Sequence, residues 1–210
     1  MIIKLTCHLR RRMPYNFTHP VQVALNREGV EYISVDRLIQ QPSLDPDYVS
    51  VGDYVETRSS GGAFGANDTT PPKLAGILEE DCLEALRLVE DIDTSGDPSF
   101  MYEVSDVKAW ANLGLHFAEK LKGAVALQTY RTEGGEENKR NAVEHLEKAL
   151  GFWDEVISIT RPIYKDMPLV HYNRRGDDRN DNLFHWQLIR SEVANDIEIA
   201  RNATASTTGK

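Results

Sequence analysis

Four residues near the end of the chain, His171, Tyr172, His185 and Trp186, have types that could hold a sugar. An aromatic face stacks on a pyranose ring, and imidazole and phenol groups exchange hydrogen bonds with its hydroxyls. The same four residues would also close the end of a helical bundle by packing, which is the commoner use of aromatic pairs in helical proteins. Carboxylates occur in runs at Glu79-Glu80-Asp81, Glu90-Asp91, Glu136-Glu137 and Asp177-Asp178. Glycoside hydrolysis needs two of them facing each other across a cleft at roughly 5–10 Å. The runs read first as solvated helix faces and caps, and no catalytic residue is assigned.

Other motifs are incomplete. Gly61-Gly62-Ala63-Phe64-Gly65 lacks the Lys-Ser/Thr of a phosphate loop and the spacing of a dinucleotide fingerprint. Asp178, Asn180 and Asn182 open like a calcium loop, but Leu183 stands where glycine is required and Ile189 where the bidentate glutamate belongs. The six histidines show no zinc spacing, so no metal and no cofactor are expected. Of these, His116 reads as a hydrogen-bonded core edge and His145 as exposed. Cys7 and Cys82 lie far apart without ligand partners and read as free thiols, with a disulfide between them left open.

The elements that must position these groups are helical. The stretch Val104 to Tyr130 carries Val107, Trp110, Ala111, Gly114, Phe117, Ala118, Leu121, Ala124, Val125 and Gln128 at steps of three and four. Leu113, Leu115, Ala126 and Leu127 widen the apolar surface, as in a helix buried between others. Gly114 and Gly123 each cost roughly 1 kcal/mol against Ala there, which predicts close approach by a neighbouring helix. Asp97-Pro98 opens this helix and Gly134-Gly135 ends it, giving roughly 50 Å at 1.5 Å per residue.

An earlier helix starts at the Thr70-Pro71 cap and runs to about Asp91. A third spans Glu136 to about Ile159, and a fourth Asn182 to Asn202. Short turns between long amphipathic helices predict antiparallel neighbours. The expected fold is mainly α, an antiparallel four-helix bundle over residues 70–203. Before it lies an irregular segment, residues 1–69, with little or no strand. After it residues 204–210 fray. Within the first segment Tyr32 to Leu38 reads as strand or extended chain, and Ser50 to Val55 as a short helical turn.

The net charge of −9 over 210 residues argues against nucleic-acid binding, which needs clustered Lys and Arg. No stretch is long enough to span a bilayer. The short apolar run before Arg10-Arg11-Arg12 is a poor signal peptide, so a cytoplasmic location is expected.

Three segments together carry a family resemblance. They are the Asp47-Tyr48-Val49-Ser50-Val51-Gly52-Asp53-Tyr54-Val55 turn and the Thr70-Pro71-Pro72-Lys73-Leu74-Ala75 helix start. The third runs from Asp106-Val107-Lys108-Ala109-Trp110-Ala111-Asn112-Leu113-Gly114 through Phe117-Ala118-Glu119-Lys120-Leu121-Lys122-Gly123-Ala124. Over residues 45–160 the chain resembles the C-terminal helical region of large bacterial α-glucuronidase-like or hexosaminidase-like glycoside hydrolases. The resemblance implies a (β/α)8 catalytic barrel upstream, of which residues 1–69 would be at most an edge or a linker. It implies an accessory domain that is not catalytic as an isolated chain, with that barrel, a second copy of itself or carbohydrate as partner. A helical protein–protein scaffold unrelated to sugars is the other reading.

Overall fold

The computed structural model describes residues 32–168 and 183–206. Its helices are α1 (Val35–Gln40), α2 (Val51–Ser59), α3 (Pro71–Val89), α4 (Pro98–Glu133), α5 (Glu136–Thr160) and α6 (Arg190–Arg201). Strands β1 (Met167–Pro168) and β2 (Leu183–Phe184) pair antiparallel, Met167 opposite Phe184, and a 3-10 turn, Trp186–Ile189, leads into α6. The mainly helical bundle expected from the periodicity is what forms.

Local chemistry sets the boundaries. The Asp97 carboxylate accepts from Ser99 and Phe100 N–H at the start of α4, with Pro98 in the first turn. Thr70 sits at the N-cap of α3 without a side-chain cap bond, so Pro71, which has no N–H to satisfy, is the stronger start signal. Gly134 and Gly135 take φ of 78° and 89°, a region costly for other residues, and so reverse the chain in two residues. Glu136 and Glu137 then occupy the first turn of α5, where the helix dipole favours them.

Helix α4 is the hub. At 36 residues it is roughly 54 Å long, and it packs against α1, α2, α3 and α5. Its partners on α5 run in reverse order: His116 meets Ala149, Glu119 meets His145, and Gly123 meets Ala142 and Leu146. Helices α5 and α6 are antiparallel too, with Arg190 on Asp154 and Arg201 on Glu147. Leu78, Leu115, Phe117, Leu121, Leu127 and Leu146 belong to the main core, and Val35, Ile39 and Val51 of α1 and α2 join it. A second cluster, Trp153, Phe184, Ile189 and Val193, seats the start of α6 on α5.

Gly123 is the close approach expected from the sequence. A Cβ there would lie 2.9 Å from Leu146 Cγ and 3.1 Å from its Cδ2, and Leu146 is buried. Gly151, exposed on α5, has nothing within 4 Å. The two sites should respond with opposite signs. Gly151→Ala is expected to gain about 0.5–1 kcal/mol from helix propensity. Gly123→Ala should lose about 1–2 kcal/mol net, because overpacking outweighs propensity. Urea unfolding of the two variants checks this, and equal gains would show that Leu146 yields freely.

Several expectations need correction. Tyr32 to Leu38 is not a strand: Ser34 caps α1 by accepting from Arg37 N–H, and Val35 and Ile39, four apart, turn inward. The turn expected at Ser50 to Val55 is a nine-residue helix, capped by the Ser50 hydroxyl on Asp53 N–H. The fourth helix starts at Arg190, not Asn182, because residues 183–189 spend their backbone on β2 and the 3-10 turn. Trp110 is 37% exposed despite its place in the apolar row. Cys82, by contrast, is the free thiol expected, fully buried and pushed up to about 12, mainly by burial. Cys7 lies outside the described residues.

Candidate functional site

Polar groups inside the bundle gather around Lys120, in the middle of α4. Its side chain is buried, and its ammonium donates to Asp196 Oδ2 of α6 at 2.6 Å and to the Ile33 carbonyl. It also lies 3.7 Å from the centre of the Tyr32 ring, a cation–π contact. The other Asp196 oxygen accepts from Val35 N–H at 2.7 Å, and Glu192 Oε2 accepts from Tyr32 N–H at 2.8 Å. Residues Tyr32 to Val35 therefore form a strap whose backbone is bonded to α4 and α6.

His116, one turn before Lys120, fixes the strap's side chain. Its Nδ1 is 2.8 Å from the Ala149 carbonyl, which can only accept, so Nδ1 carries the proton. Nε2 is then the acceptor for the Tyr32 hydroxyl at 2.9 Å. Burial and the Lys120 charge lower the imidazole to about 3, which keeps it neutral. Burial, then the Asp196 carboxylate, raises the Tyr32 phenol well above its usual value. Burial lowers Lys120 to about 8 against the opposing pull of Asp196. Trp153 closes the cluster, edge-on to His116 at 4.9 Å and to Tyr32 at 5.7 Å.

A second polar group lies on the flank where α3, α4 and α5 meet. Glu119 holds His145 Nδ1 at 2.7 Å and Lys122 at 2.7 Å, and Lys122 also reaches Glu79 at 2.8 Å. His145 is thus half-buried and paired, not an exposed residue. These carboxylates brace three helices around one ammonium.

The sequence-predicted residues divide. His171 and Tyr172 lie outside the described residues, as do Asp178 and Asn180. His185 and Trp186 sit at the end of the bundle made by the α5 C-terminus, and Tyr164 joins them with its ring 6.4 Å from Trp186. His185 is buried, edge-on to Trp186 at 5.7 Å, and its Nδ1 accepts from Gln187 N–H. Its Nε2 makes no hydrogen bond among the described residues. Burial, then Arg161, lowers its pKa. The Trp186 carbonyl receives the Trp153 indole N–H at 3.0 Å, and the Tyr164 hydroxyl donates to Asp106. His185 therefore packs beneath a half-buried Trp186.

The segments of that end also carry most of the large exposed hydrophobic side chains among the described residues. Of the twelve large hydrophobic side chains exposed among the described residues, ten belong to its segments. They lie on the α3 C-terminus, the first third of α4, and the run from the α5 C-terminus to the 3-10 turn. Ile92, Phe100, Tyr102, Tyr164, Leu183 and Leu188 are six of them. Monomeric surfaces rarely gather apolar residues this way without use. Among the described residues no group of three His, Cys, Asp or Glu is placed to hold a metal ion. No described helix is long and apolar enough to cross a membrane.

The sequence reading missed the Lys120 cluster, although signals for it existed. Lys120 lies within a helix apolar around most of its girth, which forces the question of where its acid is. Asp196 falls in the inward stripe of Val193, Ile197 and Ala200. No family model, no curated protein and no solved structure matches the chain.

Proposed function

We propose that this chain is a helical accessory domain of a carbohydrate-active, glycoside hydrolase-like system, and that it borders and stabilises a catalytic module. The observation that carries the reading is the concentration of exposed hydrophobic side chains at the bundle end made by the α5 C-terminus, among the described residues. A domain that docks against a neighbour needs such a face, whereas its buried ionisable groups need only hold its own fold. Lys120, Asp196 and His116 fit that second description, because each is consumed by bonds within the chain. The carbohydrate part of the reading rests on the resemblance through Trp110, Phe117, Lys120 and Gly123, and on aromatic groups at the same end.

The apolar end equally suits a helical protein–protein scaffold unrelated to sugars, and one experiment separates the two. The full chain is produced with the protein encoded beside it, as wild type and as Tyr102→Ser/Tyr164→Ser. Co-elution with a barrel-type glycosidase, lost in the variant, supports the accessory reading. Co-elution with a partner of another kind supports the scaffold. Turnover of aryl-glycosides by the chain alone, abolished by replacing one carboxylate pair, would overturn both.

A further inference from the structure

We propose that the Tyr32–Val35 strap is an acid-released latch, with His116 as the group that senses the proton. Release of the strap would free the Tyr32–Val35 backbone from α4 and α6 while the bundle stays folded.

The geometry makes the latch depend on a neutral imidazole. His116 Nδ1–H is committed to the Ala149 carbonyl, and Nε2 must keep its lone pair to receive the Tyr32 hydroxyl. A proton on Nε2 removes that acceptor, leaving Asp196 as the other acceptor within reach of the Tyr32 hydroxyl, and sets an imidazolium beside the Lys120 ammonium. Among the described residues, the groups facing this point come from each element around it. The strap brings the Tyr32 phenol, α4 brings Lys120, α6 brings Asp196 and Glu192, and α5 brings only the Ala149 carbonyl and the Trp153 ring.

The sign follows from linkage. His116 is held near 3 when the latch is closed, against about 6.5 for a free histidine. The open state therefore binds the proton more tightly. Closure is at full strength above pH ~6.5 and is lost as pH falls from there toward ~3. Lys120 does not oppose this in the acid range, because it is charged in both states there.

The test is hydrogen exchange on the full chain, corrected for the intrinsic pH dependence of exchange. The Val35 and Tyr32 amides, bonded to Asp196 and Glu192, report the latch. Their protection is expected to fall roughly thirtyfold between pH 7.5 and 5, as proton binding at ~6.5 in the open state dictates. Amides in the middle of α4 and α5 should keep theirs. His116→Gln, which retains an acceptor and a donor but does not titrate, should flatten the response. His145→Gln should leave it intact. A flat wild-type profile overturns the proposal, as does loss of α4 and α5 protection in step with the strap. A response that survives His116→Gln also overturns it, because Asp196 or Glu192 would then be the sensor. If His116→Gln does not fold, the onset of the wild-type loss decides: a start near pH ~6.5 supports His116, and a loss confined below about pH 5, the carboxylate range, overturns the proposal.

Discussion

Replacing Lys120 by Met is expected to cost about 3–5 kcal/mol in urea unfolding at pH 7, because it leaves the Asp196 carboxylate buried without its counter-charge. Both side chains are almost fully buried, at 2% and 3% exposure, so solvent does little to screen the loss. The ammonium is also bonded to the Ile33 carbonyl and sits against the Tyr32 ring, and both contacts disappear with it. Lys120→Met/Asp196→Asn should be milder than the single variant. The amide oxygen can still accept from Val35 N–H, and no unpaired charge remains. A double-mutant cycle should return a coupling of about 2 kcal/mol or more, within the range found for groups sharing one network. A single variant within 1 kcal/mol of wild type would show that water reaches Asp196.

What the sequence disclosed and what it hid follow from the distance over which each signal acts. Helices α3, α4 and α5 were legible because their signals are local. Asp97 caps a proline two residues from its partner amides, Gly134-Gly135 breaks the chain in place, and the apolar rows repeat every three or four residues. The close packing at Gly123 followed from the same rows, since a glycine amid buried residues must make room for something. The strap was not legible in that way. Its bonds run from Tyr32 and Val35 to Glu192 and Asp196, some 160 positions along the chain, and nothing near Tyr32 announces them. Without those partners, Tyr32 to Leu38, with its β-branched Ile33 and Val35, reads as strand or extended chain. The start of α6 was misplaced for a related reason. Asn182 is a good cap by type, but Phe184 pairs with Met167 and His185 turns its ring onto Gln187 N–H, so the backbone is committed elsewhere until Arg190. Among the four aromatic and histidine residues, Trp186 and His185 do meet, together with Tyr164. His185 lies inside, and burial is a tertiary property that residue type does not carry.

Trp153 is the residue on which the strap and the start of α6 both depend, and Trp153→Ala is expected to cost about 3–5 kcal/mol. The indole is 3% exposed, and it is the one member of the second cluster that α5 buries beneath Phe184, Ile189 and Val193. Its edges meet His116 and Tyr32, and its N–H holds the Trp186 carbonyl. At 12 residues α6 is too short to persist by propensity, so its stability comes from the face it packs. Removing Trp153 takes away most of that face near Val193. It also takes the wall behind the Tyr32–His116 bond, so α6 and the strap should loosen together. Amides of Val193 to Ala200 are expected to lose protection before those of α4, and the urea midpoint should fall. Trp153→Phe separates the two contributions. A phenyl ring keeps much of the apolar contact but leaves the Trp186 carbonyl without its donor, so a loss of about 1–3 kcal/mol is expected. Should Trp153→Ala cost less than about 1.5 kcal/mol, or should α6 stay as protected as α4, the second cluster would be a surface on which α6 rests and not what holds it. The strap would then depend on Lys120, Asp196 and Glu192, and the acid response at His116 would have to survive without the ring that now encloses it.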